Sequence, residues 1–199
     1  MTQFKLLGRI GLFVLALLWP GLAAAADYAA GEMAMGSDDA KVTVIEYASM
    51  TCPHCAAFHA DTFKKLKAKY VDTGKVRFVF REFPFDNLAL RASMLARCSG
   101  EDSYFAMVDV LFSQQRAWSR AADPMAALET IGRLGGIDKQ RFDACMTDQS
   151  LMDLVVQSRM TGASEFQVES TPSFIINGER ISGNQALSEF EAAIDKHLQ

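Results

Sequence analysis

The chain has 199 residues, half of them hydrophobic and 22 % charged, with a formal net charge of −4. Such a balance fits one globular domain of moderate size, or one carrying an insertion, and excludes a disordered, collagen-like or low-complexity chain. An acidic chain without a basic stripe is a poor match for nucleic acid, and there is no internal repeat.

The N-terminus reads apart from the rest. Lys5 and Arg9 precede an apolar run from Ile10 to Trp19, then Pro20-Gly21 and the small residues Ala23-Ala24-Ala25-Ala26. Basic, apolar, then small is the layout of a cleavable secretory signal. The run is shorter than the about 20 residues a membrane-spanning helix needs. Residues 1–26 are therefore expected to be a signal peptide. The exported chain would begin near Asp27 and carry 18 basic against 24 acidic residues.

A lead at 27–40 comes first. Val42 to Ala48 is rich in β-branched and aromatic residues and reads as a buried strand. Ala56, His59, Phe63, Leu66 and Tyr70 recur at three- and four-residue spacing, one stripe of a helix. Lysines 64, 65, 67 and 69 fall between them as a solvated face. Lys75 to Phe83 reads as a second strand, giving a β-α-β unit with a right-handed crossover. Helical spacing then runs from Asp86 to about Phe166, punctuated by Gly100, Asp123-Pro124 and Gly135-Gly136. Strand signals return at Ser173 to Ile176, followed by Asn177-Gly178, a strong hairpin signal. Glu179 to Ser182 is the partner strand and Leu187 to Leu198 a closing helix. The order implies a small α/β core at 41–85 and 167–199, interrupted by an inserted helical domain at 86–166.

Cys52-Pro53-His54-Cys55 lies where the first strand meets the first helix. Cys-x-x-Cys beside a β-α-β unit is a redox signal. A thiolate at a helix N-terminus gains from unpaired N–H groups and the positive end of the dipole. Pro53 suits the first turn, where its missing N–H would have had no partner. His54, when protonated, adds positive charge. All three lower the pKa of Cys52, the candidate nucleophile, and leave Cys55 as the resolving thiol. Zinc held by Cys52, Cys55, His54 and His59 would want a second ligand pair, which the sequence lacks, so no metal or cofactor is expected. A purely structural disulfide across so tight a loop would add little stability.

The stretch Val44-Ile45-Glu46-Tyr47-Ala48-Ser49-Met50-Thr51-Cys52-Pro53-His54-Cys55, with a late Thr171-Pro172 ahead of Ser-Phe-Ile-Ile-Asn-Gly, resembles the DsbA family of periplasmic disulfide oxidoreductases. The resemblance covers most of the exported chain. It implies a thioredoxin-like fold with a helical insertion, periplasmic location, and oxidation of freshly exported proteins. It also implies reoxidation by a quinone-linked membrane partner resembling DsbB. A disulfide isomerase or reductase of the same fold is the alternative. With only a short lead ahead of the core, a monomer is expected.

Glu46 stands mid-strand among residues made for burial, where a charge is costly unless paired or working. In the DsbA family an acid at this place lies beneath the active site and assists proton transfer; a structural acid satisfied by neighbours is the plainer reading. His59 lies on the inward stripe, either as a satisfied core residue or tuning the cysteines. Cys98 and Cys145 would pair in an oxidising compartment, or remain two buried thiols. Family members differ on such a second bridge. On its own Pro172 would be trans; the resemblance implies a cis proline facing the cysteines, with the backbone before it, at Thr171, pairing with an incoming client. Threonine before that proline is more frequent in isomerase relatives than in the best-known oxidases, so it pulls against Cys-Pro-His-Cys.

Overall fold

The computed structural model describes residues 28–199, and the expected signal at 1–26 lies outside them. Five strands form one sheet: β1 (Met33–Met35), β2 (Val42–Ala48), β3 (Val76–Glu82), β4 (Ser173–Ile176) and β5 (Glu179–Ser182), in the order β1-β3-β2-β4-β5. β2 and β3 are parallel, in register from Val42↔Val76 to Ala48↔Glu82. Parallel neighbours need a crossover. It is made by α1 (Pro53–Ala60), α2 (Thr62–Leu66) and a π turn at Lys67–Val71. The continuous helix expected here is thus broken at Asp61, whose φ of −127° and ψ of −71° leave the helical region. The wider turn that follows lets neighbouring Tyr70 and Val71 both face inward.

β1 belongs to the lead, where the sequence carries no strand signal. It pairs antiparallel with β3 as an edge strand. At the other edge β4 and β5 form the hairpin, with Asn177 and Gly178 at φ 43° and 93°. Positive φ at both central residues is what a two-residue hairpin turn requires.

Six helices separate β3 from β4: α3 (Asn87–Cys98), α4 (Tyr104–Ser113), α5 (Gln115–Ser119), α6 (Pro124–Leu134), α7 (Lys139–Thr147) and α8 (Gln149–Glu165). Four of them begin with an aspartate, Asp86, Asp123, Asp138 and Asp148, whose carboxylate accepts a first-turn N–H. A disulfide joins Cys98 of α3 to Cys145 of α7, with Cα atoms 6.1 Å apart. α8 returns the chain to the sheet at close range. A Cβ at Gly162 would lie 2.6 Å from the Tyr47 ring. α9 (Leu187–Leu198) packs with α1 over one sheet face, where Phe58, Phe174 and Phe190 meet with Phe58–Phe174 centroids 4.5 Å apart.

One buried ionic cluster ties these parts together. Arg97 of α3 donates to both carboxylate oxygens of Glu82 at the end of β3, at 2.6 and 2.9 Å. It also donates to the carbonyls of Ala29 and Gly31 in the lead. Tyr104 of α4 donates to Glu82 at 2.7 Å. Among the described residues no helix is long and apolar enough to cross a membrane.

Candidate active site

Cys52 caps α1 in an extended conformation, and Pro53 opens the helix. Cys55, one turn on, is fully buried, whereas Cys52 is only partly covered. Both are free thiols, so the pair is in its dithiol state. Across from them the Thr171–Pro172 peptide is cis, and the Cys52 sulfur lies 3.2 Å from the Thr171 carbonyl oxygen, to which it donates when protonated.

The two sulfurs are driven in opposite directions. Cys52 falls below its ordinary value to about 5, chiefly because the Cys55 thiol donates to it; burial opposes this, and the Thr171 side chain and the backbone N–H groups of Cys55 and His54 add to it. Cys55 is pushed well above its ordinary value by burial first, then by its bond to Cys52 and by the negative charges of Glu46 and Cys52. One proton therefore stays on Cys55 while Cys52 is ionised. His54 acts through its backbone N–H, because its side chain stands in solvent, where charge is screened.

Glu46 is completely buried between Phe80 and Phe174 of the neighbouring strands. Its Oε2 lies 2.8 Å from Nε2 of His59, and its Oε1 is buried without a partner. The His59 ring stacks on Phe112 of α4 at 4.4 Å, so the helical segment helps hold it. His59 also borders a cavity of about 600 Å³ between α1 and the α4–α5 turn.

Two supports were not legible in the sequence. Gln115 of α5 is buried, and its amide donates to the carbonyls of Met50 and Cys52 at 2.8 and 2.9 Å. Thr51 donates to Asp86 at 2.7 Å, while the other oxygen of Asp86 caps α3. Both tie the segment before Cys52 to the helices between β3 and β4. Asp86 carried a signal as a helix cap; Gln115, in a polar stretch, carried none. Cys98 and Cys145 sit elsewhere, within the helices.

The chain matches the thioredoxin family model over residues 29–196. Alpha-DsbA1 of Wolbachia pipientis superposes with a TM-score of 0.78 at 31 % identity, covering 84 % of this chain and 91 % of that one. The chain belongs to the DsbA family. Its fold is thioredoxin-like, and relatives in the family carry oxidoreductase names. A Rickettsia bellii chain, provisionally named a protein-disulfide oxidoreductase, is 37 % identical over 84 % of this chain and 65 % of its own length. The chain thus spans just under two thirds of the curated rickettsial relatives it matches. Disulfide bond formation protein D of Bacillus subtilis is 26 % identical, over 85 % of this chain and 78 % of that protein.

Proposed function

We propose that this DsbA family member is a thiol:disulfide oxidoreductase that passes a Cys52–Cys55 disulfide to pairs of cysteines in exported proteins, in the periplasm. The observation that carries the reading is the division of charge between the sulfurs: Cys52 is ionised from about pH 5 while Cys55 holds its proton. A sulfur that is comfortable as a thiolate favours the dithiol state, so the disulfide is readily given away.

In the first step a client thiolate attacks Sγ of oxidised Cys52. A client–Cys52 bond forms, the Cys52–Cys55 bond breaks, and Cys55 leaves with the electron pair and takes up a proton. The second client thiolate then attacks the client sulfur of that mixed disulfide and expels Cys52 as thiolate. The client has lost two electrons, the enzyme has gained them, and a quinone-linked membrane protein resembling DsbB removes them again. Glu46 and His59 serve the proton on Cys55, and the Thr171 backbone beside the sulfur offers an extended client an edge to pair with. The protein works as a monomer without metal or cofactor, and the Cys98–Cys145 bridge is structural.

Thr171 favours a second activity. Its side chain stabilises the Cys52 thiolate, which alters how long mixed disulfides persist, so some isomerase competence accompanies the oxidase. The test is a Cys55→Ser variant given reduced clients, alongside wild type given a reduced peptide and a scrambled multi-disulfide substrate. Client adducts at Cys52 and faster peptide oxidation than unscrambling support the reading. A weak oxidant that unscrambles well overturns the order.

A further inference from the structure

Beside the cysteines lies a surface that exchange chemistry does not use. Phe85, in the turn from β3 to α3, is 51 % exposed, and on α8 Val156 and Met160 are 38 % and 57 % exposed. Large apolar side chains left open together mark contact surfaces. Arg159 links them. Its guanidinium lies 5.7 Å from the Phe83 ring centroid and 6.0 Å from that of Phe85. Among the described residues it makes no ion pair and no hydrogen bond. At 3.6 residues per turn, Arg159, Ala163, Val156 and Met160 fall within an arc of about 100°. The stripe therefore runs outward from Phe85 across α8.

Two connections tie the patch to the segments around the reactive sulfur. Phe85 precedes Asp86, which accepts from Thr51 next to Cys52. At its other end α8 carries the loop leading to Thr171 and Pro172, since the Val168 N–H bonds the Gly162 carbonyl at 3.0 Å. These two connections put the patch within reach of a client bonded to Cys52 and aligned along Thr171.

We propose that Phe85, Arg159, Val156 and Met160 form a client-binding subsite that accepts an apolar side chain together with a carboxylate, near the client cysteine. The inference rests on the oxidoreductase reading above. The apolar part follows from the exposed rings and methionine. The acidic part follows from charge: a cation laid over aromatic faces and left unpaired, in a chain of net negative charge, is complementary to an acid. Asp86, beside Phe85, makes no ion pair with Arg159; its oxygens accept from Thr51 and the Ala89 N–H.

The experiment uses the oxidised protein and reduced dithiol peptides that share one leucine and carry glutamate, glutamine or lysine at successive positions from the cysteine. Second-order oxidation rates are followed for wild type, Arg159→Glu and Phe85→Ser, at low and high salt, with the Cys52 thiolate titration confirming an intact site in each. Wild type should prefer glutamate over glutamine by about fivefold at one or two positions, as an exposed ion pair allows, and salt should erode this. Arg159→Glu should invert the preference toward lysine, and Phe85→Ser should slow all leucine-bearing peptides. Equal rates for the three peptides, unmoved by charge reversal, overturn the subsite alone. A wild type that oxidises none of them overturns the oxidoreductase reading, and the subsite with it.

Discussion

Glu82 is the anchor whose removal is easiest to quantify. It is fully buried at the end of β3, three residues before Phe85, and Arg97 beside it is only 5 % exposed. In Glu82→Gln the shape is kept but the Arg97 cation is left inside with only the Ala29 and Gly31 carbonyls and a neutral amide. Uncompensated buried charges cost about 3–5 kcal/mol. With a urea slope of about 2 kcal/mol per molar, the unfolding midpoint should fall by about 2 M. The assay is urea unfolding at neutral pH, followed by fluorescence of Trp118, which is buried and donates to the Leu111 carbonyl at 2.8 Å. Glu82→Leu with Arg97→Met removes both charges together. Because desolvating the pair already offsets most of its attraction, the double variant should return to within about 1 kcal/mol of wild type. A single variant costing under about 1 kcal/mol, or a double variant as unstable as the single, would refute the reasoning.

Three further outcomes follow from the same geometry. Replacing Cys98 and Cys145 by alanine opens a link across a sequence separation of 47, worth about 4 kcal/mol in the chain-entropy model; urea unfolding with the Cys52–Cys55 pair reduced should show the loss, and an unchanged midpoint would contradict it. Thr171→Val removes one contribution to the thiolate and should raise the Cys52 pKa by about one unit, read from thiolate absorbance; no change would mean that the side chain does not reach the sulfur. Stability of the dithiol form should depend on pH. Because the folded pKa of Cys52 lies near 5 and the unfolded one near 8.5, its contribution is full above the unfolded value and is lost as pH falls through about 5. Discounted for the sulfur's partial exposure to solvent, the change is on the order of 2 kcal/mol, and comparing dithiol with disulfide protein in urea across that range measures it. A difference that does not vary with pH would exclude it.

Much of the fold was legible because local signals agreed with it. The β-branched run at Val42–Ala48, the Asn177-Gly178 turn and the closing helix at Leu187–Leu198 all lie where the sequence puts them. β1 was hidden, since three residues without a β-branched side chain carry no strand signal; their pairing is decided by β3. The break at Asp61 and the π turn were hidden as well, because the inward stripe survives them. At the site, the cysteines could be read from their spacing and their place at a helix start. Gln115, Arg97 and Glu82 could not: each looks like a surface residue until the helices between β3 and β4 fold over them. His59 stood between two readings, and the structure pairs it with Glu46.

The central claim is that Cys52 is held as a thiolate at the start of α1, and one titration tests it most directly. Ultraviolet absorbance of the reduced protein, followed against pH and compared with Cys52→Ser, should show one thiolate appearing with a midpoint of about 5. Cys55 should show none until pH is well above neutral. A midpoint near the ordinary value of about 8.5 would contradict the account.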